Sequence, residues 1–161
     1  MTNVPTLSSI LNRPAEEFVN DPDVERLWAI KAVEQMTVYF NLIKSVPTKE
    51  LRLTPNDDLI YTKFREQFPD FNVQIIDIEA LKSDEAKAKW RPFCNQFENL
   101  VQDFNFATFV RLDCSSNYDE NNSCIVPRIQ FLAIEVARNR EGYNEMLKQK
   151  FNNLNKQNGQ S

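Results

Sequence analysis

The sequence predicts an α+β fold: a helix-rich single domain with a small, mainly antiparallel sheet of about three strands. Apolar residues recur at three- and four-residue steps behind recognisable helix starts in four places. A β-branched run, Val73 to Ile78, interrupts them. A strand-like stretch, a polar loop and a second short strand-like stretch then follow one another between Phe106 and Val126, the order expected of a hairpin.

Taken in order, Leu7 to Asn20 reads as an entry segment with a short helical turn after Pro14. Asp21-Pro22-Asp23 is a helix start: Asp21 can cap, Pro22 suits the first turn, and Asp23 favours the positive end of the macrodipole. Val24, Leu27, Trp28, Ala32, Met36, Tyr39, Phe40 and Ile43 form the stripe of this helix, which ends near Pro47. Thr54-Pro55-Asn56-Asp57 opens a second helix with the stripe Leu59, Ile60, Phe64 and Phe68, stopped by Pro69. Val73 to Ile78 is expected to be a strand.

Ser83-Asp84-Glu85 opens a third helix, with a kink or restart expected at Pro92 and with Trp90, Phe93, Phe97, Leu100 and Val101 facing inward. Phe106 to Asp113 forms a strand with Phe106, Thr108, Val110 and Leu112 on one face. Ser115 to Asn122 is loop, Cys124 to Val126 the returning strand, and Pro127 opens a last helix with the stripe Ile129, Leu132, Ala133, Val136, Tyr143 and Leu147. Gly142 marks a helix end or a weak point inside it. Residues 1–145 are expected to form one globular unit, with 146–161 a helical extension fraying into a polar, Asn/Gln-rich tail.

Composition removes several classes of function. The chain has 161 residues, 42% hydrophobic and 26% charged, and its net charge is −4. That sign argues against nucleic-acid binding, which needs cations to displace phosphate counterions, and against docking on anionic lipid. Met1 to Asn12 shows no signal-peptide pattern, and the longest strongly apolar stretch without a charge, Gln35–Ile43, falls far short of the ~20 residues of a bilayer span. Cys94, Cys114 and Cys124 are a poor disulfide framework and fit a reducing, cytoplasmic compartment, with the nucleus a second possible location.

There is no histidine, so Ser-His-Asp and Cys-His catalysis and most catalytic zinc sites are absent. Only Gly142 and Gly159 are present, too few for a phosphate-cradling loop. The expectation is therefore a protein that is not an enzyme and has no catalytic residue, cofactor or metal. Asp21-x-Asp23 and Asp57-Asp58 read as helix-start carboxylates rather than metal ligands. Asp113, Ser115, Asn117 and Asp119 echo a calcium loop, but Tyr118 and Cys124 stand where glycine and the bidentate glutamate are needed.

The remaining candidates are surfaces. Arg128, Arg138 and Arg140 share one segment and could clamp an acidic partner; the plainer reading makes them solvated helix charges satisfied by Glu135 and Glu141. Asn12-Arg13-Pro14 is a docking corner or a helix cap, and Phe104-Asn105-Phe106 with Phe109 is core or contact site.

Several stretches carry a resemblance: Leu11-Asn12-Arg13-Pro14-Ala15-Glu16-Glu17-Phe18, Glu25-Arg26-Leu27-Trp28-Ala29-Ile30-Lys31-Ala32, Lys89-Trp90-Arg91-Pro92-Phe93 and Asp103-Phe104-Asn105-Phe106. The most specific is the long run from Val126-Pro127-Arg128-Ile129-Gln130 through Arg138-Asn139-Arg140-Glu141-Gly142-Tyr143-Asn144. Together, over about residues 8–145, they resemble the eukaryotic family of polysaccharide biosynthesis domain-containing protein 1; Ala107 stands where that family has glycine. The resemblance implies a small cytosolic, ATP-independent chaperone. Its partner would be the nascent GTP-binding domain of translation elongation factor 1-alpha, with the nascent-polypeptide-associated complex and the ribosome as further partners. A monomer is expected, without direct contact to nucleic acid or membrane. Two alternatives stand beside this reading: a sugar-modifying transferase, suggested by the family name alone, and a static interaction scaffold.

Overall fold

The computed structural model describes residues 22–158. Helix α1 (Pro22–Ser45) leads through a single 3-10 turn (Thr48–Glu50) to α2 (Asp57–Gln67). A short α3 (Glu79–Lys82) and α4 (Asp84–Asn95) follow, then strands β1 (Ala107–Arg111) and β2 (Ser123–Pro127), and finally α5 (Arg128–Glu141) and α6 (Tyr143–Asn158).

Local chemistry explains most boundaries. Ser83 caps α4 by accepting from the Ala86 amide. Asp57 caps backwards: its buried carboxylate accepts from the amides of Leu53 and Thr54, at 2.7 and 2.8 Å, and from the Thr54 hydroxyl, which ties the preceding loop to α2. Gly142 ends α5 at φ 91°, a left-handed conformation that glycine adopts without a Cβ clash. The polar stretch from Asn152 continues as helix to Asn158.

Around α5 the remaining elements assemble. Ten of its residues are buried, from Ile129 to Asn139, covering every side of the helix. The β1–β2 hairpin is antiparallel, pairing Thr108 with Val126 and Val110 with Cys124. Val110 and Val126 turn into the main core with Ile129, Leu132 and Ala133 of α5. On its other side α5 meets Ile60 and Phe64 of α2, and these lead into an aromatic stack: Trp90 lies 4.2 Å from Phe68 and 5.7 Å from Phe64, ring centre to ring centre, and donates its indole N–H to the Ala80 carbonyl. A second cluster of Tyr39, Ile43 and Leu147 joins α1 to α6.

Three expectations are corrected. Val73 to Ile78 is not a strand; it makes one isolated antiparallel bridge, Ile75 with Asp113, so among the described residues the sheet has two strands rather than about three. Leu59 and Leu100, expected inside, are 40% and 50% exposed. Of the kink or restart expected at Pro92, the restart is ruled out, because α4 runs on through Pro92 to Asn95.

Candidate functional site

The arginines singled out in the sequence come apart in space. Arg138 is completely buried. It donates to Glu135 at 2.9 Å and to the carbonyls of Val73, Arg111 and Leu112 at 2.6, 2.8 and 3.2 Å. A guanidinium held this way has no face left for a partner, so Arg138 is removed from the docking candidates. Arg128 sits at the start of α5 and donates to the Gln102 carbonyl at 2.7 Å. Arg140, near the other end, pairs with Asp58 and covers the Tyr61 ring at 5.3 Å. Twelve residues of helix place Arg128 and Arg140 roughly 18 Å and 120° apart, too far to grip one group. Glu141 serves Arg65, at 2.8 Å, rather than either of them. Asn12 and Arg13 lie outside the described residues.

Arg138 belongs to an interior ionic network. Glu135 is its centre: Tyr39 donates to it at 2.7 Å, Asn144 at 3.0 Å, and Arg111 stands 3.6 Å away. Arg111, equally buried, donates to the Cys114 carbonyl at 2.6 Å and to Asn144 at 2.8 Å. Two guanidiniums against one carboxylate leave an excess positive charge. Backbone carbonyls and the faces of Phe40 and Tyr118, 5.4 and 5.6 Å from the Arg111 carbon, compensate it. Burial alone would raise the Glu135 carboxyl, but Arg138, Arg111 and the hydrogen bonds from Asn144 and Tyr39 outweigh it and hold it below the usual carboxylate range. Burial, and then the Glu135 charge, push the Tyr39 hydroxyl well above its ordinary value. The network ties α1, β1, the hairpin loop and α6 to α5. Its acids and bases are locked to one another rather than turned to an opening.

The surface offers something different along α1. The inner side of this helix is fixed by Ala32, Tyr39 and Ile43, and Trp28 donates to the Ala107 carbonyl at 2.9 Å. Yet Ile30, Val33, Val38 and Leu42 of the same helix are 49%, 46%, 67% and 37% exposed. Two recesses flank α1 and meet at Phe109. One, of about 430 Å³, is lined by Val38, Leu42, Leu53, Phe109 and Phe131, with Lys31, Glu34 and Arg128 also on its walls. The other, of about 510 Å³, is lined by Val33, Met36, Phe109, Tyr118 and Ile125, with Asp119, Glu120 and Lys82. Register explains the arrangement: Phe109 faces Ile125 across the hairpin, on the sheet face opposite the core pairs. Helix α1 covers only part of that face.

Sequence reasoning left Phe109 between core and contact, and the structure gives it a half-buried place shared by both recesses. It missed Ile30, Val33, Val38 and Leu42, although the signal existed. Ile30 and Val33 are apolar residues out of phase with the main stripe of an otherwise amphipathic helix, and Val38 and Leu42 widen its edge beside Val24 and Leu27. Among the described residues no cluster of three or more histidine, cysteine or acidic side chains could hold a metal ion, and no helix is long and apolar enough to cross a membrane.

Comparison with known proteins now places the chain. The family model described as PBDC1 protein matches residues 24–149. The chain belongs to the PBDC1 family. Protein PBDC1 of Mus musculus is 52% identical over 140 residues, covering 87% of this chain and 71% of the relative. Protein PBDC1 of Homo sapiens is 51% identical over 140 residues, and the matched part spans 60% of its length. A solution NMR structure of the protein yst0336 from Saccharomyces cerevisiae superposes with a TM-score of 0.75 at 42% identity, covering 84% of this chain and 96% of that one. The helix-rich α+β architecture is thus similar to that of this solved yeast protein.

Proposed function

We propose that the protein is an ATP-independent chaperone that works in the cytoplasm on nascent chains, and that its client is the GTP-binding domain of translation elongation factor 1-alpha. The observation that carries the binding role is the apolar surface on both flanks of α1, where Val38 is two-thirds exposed beside a recess floored by Phe109 and Phe131. The client comes from the sequence resemblance that membership of the PBDC1 family bears out. A GTPase domain emerging from the ribosome exposes apolar helix and strand surfaces until nucleotide orders its switch regions. A binder that favours that state keeps those surfaces from aggregating. Release needs no chemistry in the chaperone, only weaker affinity for the nucleotide-ordered client.

The test uses ribosomes stalled after the GTP-binding domain, in extract with and without GTP. The full chain should be recovered with nascent chains, less so with the mature, GTP-bound factor, and Val38→Glu should abolish recovery without changing the thermal midpoint. Equal recovery of nascent and mature factor would remove release by ordering. Undiminished recovery by the Val38→Glu variant would remove this surface.

A further inference from the structure

Helix α4 carries different charges on two of its sides. Glu85 and Lys89 pair with each other beside one recess, together with Asp70, Asp77 and Glu79. Lys87 and Arg91 border another recess, of about 410 Å³, where Lys82 of α3 joins them. No acidic side chain is among the lining residues of this second recess, although the chain as a whole carries a net charge of −4. Lys82 donates to the Ile125 carbonyl. Lys87 and Arg91 have no ion pair or side-chain hydrogen bond among the described residues. They sit one helical turn apart, where like charges repel, so α4 gains nothing from the pair on its own.

Between these cations the recess has a buried polar group. Gln130 of α5 lines it and is 7% exposed, and its side-chain amide has the Cys94 thiol as its one partner among the described residues. An amide can donate twice and accept twice, so one thiol leaves most of that capacity unused. Leu81, Trp90, Phe104 and Pro127 add apolar wall.

We propose that this recess binds an acidic peptide segment of a partner protein, its carboxylates against Lys87 and Arg91 and its main chain against Gln130. The spacing fits: residues i and i+2 of an extended peptide share a face about 6.6 Å apart, close to the ~5–6 Å between side chains one helical turn apart. A peptide group brings both a donor and an acceptor to the Gln130 amide, and the apolar walls suit side-chain carbon better than a free phosphate. Nucleic acid needs a longer cationic track than three side chains on a net-negative chain. The site shares no lining residue with the recess beside Val38, so it stands apart from the chaperone reading.

The test titrates the full chain with capped peptides Gly-Ser-Asp-x-Asp-Ser-Gly, x being each apolar or amide residue in turn, and follows backbone and side-chain amide resonances. At least one peptide should shift the Gln130 side-chain amide together with Lys87 and Arg91, and added salt should weaken its binding. Lys87→Ser/Arg91→Ser, at two exposed positions, should weaken it roughly tenfold. Lys63→Ser/Lys89→Ser removes the same charge from exposed positions outside this recess and should leave binding unchanged. No shift at these residues with any of the peptides, equal loss in the two double variants, or equal binding of the matching Asn-x-Asn peptides would overturn the proposal. So would the same Gln130 shift with inorganic phosphate, the mark of a simple anion site, or tighter binding of an oligouridylate at the same residues, which would assign the cations to nucleic acid.

Discussion

Replacing Glu135 by Gln removes one negative charge from the interior and leaves two buried guanidiniums, Arg138 at 2.9 Å and Arg111 at 3.6 Å, without a counter-ion. Both arginines and the glutamate have no exposed side-chain surface, so water cannot take over. Breaking a buried pair from one side costs about 3–5 kcal/mol, because the stranded charge keeps its desolvation penalty. For a domain of this size each kcal/mol moves the midpoint by about 2–4 °C, so the variant should melt roughly 6–20 °C lower. Thermal and urea unfolding followed by circular dichroism will read it.

The effect has a definite pH dependence. The Glu135 carboxyl lies below its ordinary value in the folded state. Its contribution is therefore fully present above the unfolded carboxyl's pKa, about 4.3, and is lost as pH falls through the lower folded value. The gap between wild type and Glu135→Gln should stay constant above about pH 5 and close in stronger acid. A variant within about 1 kcal/mol of wild type at pH 7 would refute the claim that this carboxylate neutralises the interior. The exposed pair of Arg140 with Asp58 supplies the contrast: Arg140→Ala should leave the midpoint nearly unchanged.

Two further outcomes follow from single sites. Gly142→Ala should destabilise by about 1–2 kcal/mol in urea titration, because a Cβ at φ 91° is strained although the nearest atom, Lys49 Cε, is an unobstructive 3.6 Å away. Burial pushes the Cys94 thiol up to about 11, so at pH 8 it should react with a disulfide reagent roughly a hundredfold more slowly than a free thiol and reach the free rate only on unfolding.

Much of the fold was legible because the chain states its boundaries in local chemistry. Ser83, Pro127 and Gly142 act where their side chains or ring predict, and the polar stretch Ser115 to Asn122 separates two paired strands. The failures share one physical cause: local pattern does not say what lies opposite. Val73 to Ile78 has the composition of a strand, but it pairs through one isolated bridge, held by the Ile76 amide to the Leu112 carbonyl and the Cys114 amide to the Gln74 carbonyl, and the Val73 carbonyl is taken by Arg138. The stripe Ile129, Leu132, Ala133 and Val136 puts Arg138 on the far face of α5, which an amphipathic reading assigns to solvent. Ile134 and Ala137, apolar on other faces, were the warning that α5 is enclosed and its arginine with it.

Stability and binding meet on α1, one residue apart. Tyr39 points inward and donates to Glu135, whereas Val38 points outward beside the recess. Helical periodicity makes this unavoidable: neighbours in sequence lie about 100° apart, so a helix clamped on one side displays its next residue on another. Deleting or scrambling α1 would therefore confound loss of fold with loss of contact. Only paired point changes can separate the two. Tyr39→Phe takes a hydrogen bond from a buried carboxylate and should lower stability. Val38→Glu adds charge to a side chain already two-thirds in water and should not. If both variants lost stability equally, the outer side of α1 would be part of the packed structure, and no binding surface could be assigned to it.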